Sequence, residues 1–155
     1  MMTAEENLAR LEIALPSPPA AVANYVAWVR TGNLIVTSGQ LPWVGMRMQY
    51  AGRCGAELSD EQGYAAARLC AINAIAQLKD AVGDLERVVQ LVRLEGNVYS
   101  AVNYKGQPQV LNGASDLMVE VFEQRGRHTR STLGISEMPL GAAVQLTVWA
   151  EIRPE

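Results

Sequence analysis

The segment Arg125-Gly-Arg-His-Thr-Arg-Ser131 carries a dense set of polar side chains and leads directly into a predicted strand. A guanidinium presents a planar fork of N–H donors that matches a carboxylate, so three arginines in six positions suit a site for a small anion. Arg125 and Arg127 follow a predicted helix, where the helix dipole stabilises cations without any ligand. Arg130 lies in the strand, which fixes its direction. The pattern alone leaves it open between a surface residue and a binding residue.

Other signatures of chemistry are missing from the sequence. It contains no glycine-rich nucleotide loop, GxSxG elbow, HExxH motif or EF-hand loop, so we expect no cofactor and no metal. Cys54 and Cys70 form no CxxC pair, and they cannot assemble a zinc site with His128 at the usual spacings. We interpret them as free thiols of a reducing compartment, with a Cys–His nucleophile as the alternative. His128 is interpreted as a solvated or interface residue that could also border a pocket beside Arg130.

Length and composition indicate a single folded domain over residues 1–155. The chain is 49% hydrophobic and 19% charged, which is enough apolar content for a core. Its net charge of −3, without a basic stripe, argues against a nucleic-acid partner. No apolar run approaches the roughly 20 residues that cross a bilayer, and residues 1–13 are acidic where a signal peptide would be basic. We therefore expect a cytoplasmic protein without a membrane partner.

The hydrophobic pattern predicts an α+β fold with an approximately six-stranded mixed sheet and two helices on one face. The predicted strands are 11–14, 25–30, 34–38, 85–95, 130–135 and 144–152, the helices are 60–82 and 113–125, and the main loops are 43–58 and 96–111. Ser59 and Gln62 form a capping box for the first helix, and Asn112 is a plausible N-cap for the second. Two helices leave the other sheet face uncovered, with Trp28 or its neighbours and Trp149 among polar groups. Such a face usually meets another subunit.

Several motifs resemble those of one family. Gly32-Asn-Leu-Ile-Val-Thr-Ser-Gly-Gln-Leu-Pro42 is similar to the hairpin signature of the Rid/YjgF family, the reactive-intermediate (enamine/imine) deaminases that are also labelled L-PSP endoribonucleases. Arg130-Ser, followed by Met138-Pro-Leu-Gly and a final alternating strand, resembles its C-terminal motif, and residues 110–131 resemble a less characterised branch. The resemblance covers residues 18–152. It implies a chorismate-mutase-like fold and a homotrimer with small-molecule pockets between subunits.

The resemblance also implies which residues line such a pocket. In the deaminating members, an arginine in the position of Arg130 holds the substrate carboxylate. A tyrosine matching Tyr25 and the backbone at Gly39 line the pocket. A residue at the start of the second helix adds a polar contact, for which Asn112 and Ser115 are both candidates here. The implied ligand is a small metabolite that carries a carboxylate.

One residue departs from the family pattern. Deaminating members place a glutamate fifteen residues after the arginine, and that position is Gln145 in this chain. An amide can hydrogen-bond a water molecule but cannot take its proton, and losing a general base typically costs about 10²–10⁴ in rate. Gln145 and the backbone carbonyl near Thr132 would then only position the water. Glu151 lies roughly 20 Å farther along the same strand and cannot substitute within one subunit.

Three functions follow from these observations. The first is a 2-iminobutanoate/2-iminopropanoate deaminase-type hydrolase, which converts 2-imino or enamine acids to 2-keto acids and ammonia and is slowed by Gln145. The second is a trimeric module that binds small carboxylates without transforming them. The third is an endoribonuclease, which the net charge and the lack of a basic groove disfavour.

Overall fold

The computed structural model of the protein describes residues 1–18, 20–21 and 23–154, and these residues form an α+β fold. Its helices are α1 (Ala4–Arg10), α2 (Asp60–Val82) and α3 (Gln107–Phe122). Its strands are β1 (Trp28–Thr31), β2 (Leu34–Thr37), β3 (Trp43–Val44), β4 (Arg47–Met48), β5 (Val88–Tyr99), β6 (Thr129–Ile135) and β7 (Val144–Ile152). None of the helices in this part of the chain combines the length and apolar character needed to cross a membrane.

Five strands form the main sheet in the order β1-β2-β7-β5-β6. The pairing of β5 with β6 is parallel and the other pairings are antiparallel, so the sheet is mixed as predicted. One of the predicted strands does not form. Residues 11–14 form no strand; the chain instead folds into helix α1 just before them, capped by Thr3 and Glu6. The predicted loop 43–58 contains the small β3–β4 hairpin.

Helix α2 matches its predicted bounds because its end signals are local. The Ser59 hydroxyl accepts a hydrogen bond from the Gln62 amide (3.2 Å), and the Gln62 side chain accepts one from the Ser59 amide (2.9 Å). Gly83 ends the helix with a φ of 76°, a conformation that glycine adopts without strain. Helices α2 and α3 pack side by side on one face of the sheet, which confirms the prediction of two covering helices, and α1 packs against α3.

Helix α3 begins earlier than predicted. It starts at Gln107 after Gly106, with Pro108 in its first turn, where a missing N–H is tolerated. Asn112 therefore lies inside the helix, and its interpretation as the N-cap was wrong. The predicted loop 96–111 was wrong for a related reason. Gly96 belongs to β5, where a Cβ atom would come within 2.4 Å of Leu111, so it marks close packing under α3 rather than a turn.

The side chains of strand β7 alternate between the two faces of the sheet, as the alternating sequence predicted. Val144, Leu146, Val148, Ala150 and Ile152 are buried beneath the helices, whereas Gln145, Thr147, Trp149 and Glu151 face the other way. On this open face the indole N–H of Trp149 is buried but has no hydrogen-bond partner among the described residues. The Arg93 guanidinium lies 5.6 Å from the centre of its ring.

Candidate functional site

The Arg130 side chain extends from the edge strand β6 to the first turns of α3. Its Nη1 donates to the Asn112 Oδ1 (2.8 Å) and to the Ser115 Oγ (3.1 Å), and its Nη2 donates to the Pro108 carbonyl (3.2 Å). These contacts use three of the five N–H donors of a guanidinium. The other two have no partner among the described residues, so a half-buried, oriented cation retains donors for both oxygens of a carboxylate.

His128 joins this arrangement through Ser115. Its Nδ1 lies 2.6 Å from the Gly126 carbonyl, which can only accept, so Nδ1 carries the proton. Its Nε2 is then an acceptor in the neutral ring and receives the Ser115 hydroxyl proton at 2.9 Å. Burial lowers the pKa of His128, the nearby charge of Arg130 lowers it further, and the Gly126 contact opposes both. The imidazole is therefore neutral at pH 7.

We call Arg130, Asn112, Ser115 and His128 the arginine cluster. Asn112 and Ser115, which the sequence left as alternatives, both contact the guanidinium because they lie three residues apart on one face of α3. The contact between His128 and Ser115 was not predicted. The sequence signal that could have indicated this contact is the position of His128, which lies two residues before Arg130 and directly before the strand that carries it.

Tyr25, Gly39 and Gln145 meet at a different place, which we call the glutamine cluster. A Cβ atom on Gly39 would lie only 2.6 Å from the Gln145 Nε2, so the absence of a side chain at Gly39 admits the amide. The Asn97 Nδ2 donates to the Gln145 Oε1 at 3.2 Å. Tyr25 and Gly39 line a cavity of about 40 Å³, which holds no more than a few water molecules.

One protomer does not bring the two clusters together. In the strand register, Arg130 of β6 pairs with Leu94 of β5, and Leu94 pairs with Val148 of β7. Val148 lies three residues after Gln145 on the same strand. The two backbones are therefore about 10 Å apart across the sheet and about 10 Å along it. Arg130 contacts α3 on the covered face, whereas Gln145 lies on the open face. Thr132 is half-buried on β6, between these positions along the strand direction.

The two cysteines do not provide a nucleophile. Burial raises the pKa of the Cys54 thiol to about 11, and burial also raises that of Cys70 well above its usual value. Both are free, buried thiols that stay protonated at neutral pH. His128 bonds to Ser115 and Gly126, so the Cys–His alternative receives no support. No group of three His, Cys, Asp or Glu side chains suited to a metal ion occurs among the residues that the structure describes.

Comparison with known proteins decides the family. Residues 5–152 match the family model described as "YjgF/chorismate_mutase-like, putative endoribonuclease". The chain belongs to the YjgF/chorismate mutase-like family. The resemblance drawn from the hairpin and the Arg130 motif is therefore confirmed, and so is the chorismate-mutase-like α+β fold of the chain.

Individual relatives agree with this family. Protein TCP17 of Trypanosoma cruzi is 42% identical over 147 residues, which cover 94% of this chain and 92% of TCP17. The crystal structure of a "putative endoribonuclease" from Shewanella oneidensis superposes with a TM-score of 0.95 at 39% identity, covering 97% of this chain and 100% of that one. Escherichia coli TdcF, solved with bound serine, shares the fold at a TM-score of 0.65 and 20% identity, covering 89% of this chain and 94% of TdcF.

Proposed function

We propose that the protein hydrolyses small 2-imino or enamine acids to 2-keto acids and ammonia, with Arg130 holding the substrate carboxylate. The observation that carries the proposal is the state of this guanidinium. It is fixed by three hydrogen bonds to α3, yet two of its donors have no partner among the described residues. Family membership supports the reaction class, since the resemblance noted above links this arginine to carboxylate binding.

The proposal includes a second copy of the chain. Because the arginine and glutamine clusters lie on opposite faces of one sheet, a shared pocket needs the glutamine cluster of a neighbouring subunit in a homotrimer. The open face favours such assembly, because Leu133 on it is 62% exposed. Burial of this face against another copy would cover Leu133.

In this pocket Gln145 would position water rather than activate it. Its Oε1 is held by Asn97, which directs the amide toward Gly39. Imines hydrolyse readily in water, so fixing the carboxylate on Arg130 and a water molecule near the imine carbon accelerates the reaction by orientation. The proposed turnover is therefore slower than in family members with glutamate at this position.

The direct test is the rate of pyruvate formation from 2-iminopropanoate by purified protein. We expect a rate above that in buffer, abolished by Arg130→Ala and unchanged by Arg127→Ala, which removes an exposed arginine of the same segment. Pyruvate formation no faster than in buffer would refute the deaminase proposal.

The contact between Gly39 and Gln145 gives a second prediction. Gly39→Ala places a methyl group where the Gln145 amide lies and should displace that flexible side chain from Asn97. We expect turnover to fall by up to about 10², the typical effect of misplacing a catalytic group by 1 Å, with little change in melting temperature. The control is Gln145→Ala, in which adding Gly39→Ala should change the rate no further. Equal losses in both backgrounds would show that Gly39 acts elsewhere.

A second candidate function is a module that binds a small carboxylate without transforming it. The observation in its favour is Gln145 itself, because the amide cannot accept a proton from water. Calorimetry with 2-keto acids separates the two candidates: binding that requires Arg130 in a protein without imine turnover identifies the binding module. The endoribonuclease hypothesis has no comparable support, given the net charge of −3.

A further inference from the structure

We propose that Ser115 and His128 form a proton relay at Arg130, which performs the proton transfer that Gln145 cannot. The inference rests on the proposed function and adds two residues to it. Ser115 is the group that exchanges a proton with the attacking water, and His128 acts through Ser115 as a positioning residue and proton store.

The hydrogen bonds of the arginine cluster define the direction of proton transfer. The Gly126 carbonyl holds the proton on the Nδ1 of His128 (2.6 Å), which leaves Nε2 with a free lone pair. Ser115 donates its only hydroxyl proton to that lone pair (2.9 Å). Its oxygen accepts from Arg130 (3.1 Å) and keeps one lone pair for a water molecule. The Ser115 hydroxyl is thus within hydrogen-bond distance of its base, His128, and His128 is within hydrogen-bond distance of the Gly126 carbonyl that orients it.

The surrounding charges suit a base that is neutral at rest. The charged groups near His128 on its own segment are Arg127, which is exposed, and Arg130. On the facing helix α3, Asp116 accepts a hydrogen bond from the Tyr64 hydroxyl (2.7 Å) and Glu120 pairs with Arg68 (2.8 Å). Neither carboxylate bonds to the imidazole. Arg130 also stabilises the negative charge that develops on the Ser115 oxygen as its proton leaves.

The relay balances the atoms of the reaction. As the water oxygen bonds to the iminium carbon, the electron pair of the C=N bond moves to nitrogen. The water proton passes to the Ser115 Oγ while the Ser115 proton passes to the His128 Nε2. The imidazolium then returns its proton through Ser115 to the amino nitrogen of the carbinolamine. The C–N bond breaks, the departing ammonia takes the remaining hydroxyl proton, and the 2-keto acid and ammonium are released.

The test uses His128→Gln, because a glutamine amide can still donate toward the Gly126 carbonyl and accept from Ser115 but cannot store a proton. We expect kcat to fall by about 10²–10⁴ with little change in KM. The wild-type kcat/KM, whose pH profile reports ionisations of the free enzyme, should also fall at acidic pH as His128 becomes protonated, and this acidic limb should vanish in the variant. Since the chain has a single histidine, NMR of tag-free protein gives its imidazole pKa directly, and that value should coincide with the kinetic limb.

Ser115→Ala is the second variant and should reduce kcat and remove the limb in the same way. Ser136→Ala, an exposed serine beyond the site, should do neither. Wild-type turnover with an unaltered rate and pH profile in His128→Gln overturns the relay alone. A kinetic limb that differs from the imidazole pKa overturns it as well. A wild-type protein without turnover overturns both the relay and the deaminase proposal.

Discussion

Replacing Arg130 by alanine is expected to weaken binding of pyruvate and other 2-keto acids by about 100-fold. The substitution removes the charged N–H groups that would donate to both carboxylate oxygens, and hydrogen bonds to charged groups contribute about 1.5–3 kcal/mol each. The fold should persist, because the contacts of Arg130 with Asn112 and Ser115 lie at a partly exposed sheet edge. Isothermal calorimetry with wild-type and variant protein measures the difference.

Two further variants sharpen this result. Arg130→Lys keeps the charge but loses the planar fork, so it should bind with intermediate affinity. Arg127→Ala removes an exposed arginine three residues away and should bind like the wild type. Retention of wild-type affinity in Arg130→Ala would show that the carboxylate binds elsewhere.

Gln145→Glu is expected to raise kcat for 2-iminopropanoate about tenfold, which is less than the 10²–10⁴ of a sole general base because the Ser115–His128 relay already accepts the proton of water. The environment accepts the change, because the Asn97 Nδ2 that now donates to the Gln145 Oε1 can donate equally to a carboxylate. The gain should require the ionised glutamate and disappear as the pH falls below its pKa. Initial rates measured from about pH 3.5 to 7, on both sides of the ordinary glutamate pKa of about 4.3, test this expectation.

The matched control for this substitution is Gln124→Glu, which adds the same charge at an exposed position away from both clusters. It should leave kcat unchanged. If Gln145→Glu has no more effect than Gln124→Glu, water is not activated at this position. The proposal that the glutamine cluster of a neighbouring subunit completes the pocket would then be contradicted.

The parts of the fold that sequence analysis predicted well carry local signals. The capping box at Ser59 and the strict alternation of β7 each depend on residues within a few positions of one another, so α2 and β7 have their predicted bounds. Gly96 and Pro108 gave misleading signals. Both residue types usually interrupt structure, but Gly96 admits Leu111 of a packed helix and Pro108 occupies the first turn of α3. Only the tertiary structure distinguishes these roles.

The candidate site was predictable in its residues but not in its arrangement. Arg130, Asn112 and Ser115 were all identified from the sequence, and the structure brings them together. The bond between Ser115 and His128 joins two elements thirteen residues apart and depends on the orientation of both side chains. The separation of Arg130 from Gln145 depends on strand order, since β5 is inserted between β6 and β7. No spacing in the linear sequence encodes that order.

A crystal structure of the protein grown with pyruvate tests the central claim most directly. We expect the pyruvate carboxylate to accept hydrogen bonds from the Arg130 donors that Asn112, Ser115 and Pro108 leave unused, with Gln145 of another copy facing the keto carbon. Pyruvate bound away from Arg130, or an Arg130 side chain turned into bulk solvent while ligand occupies another site, would contradict it.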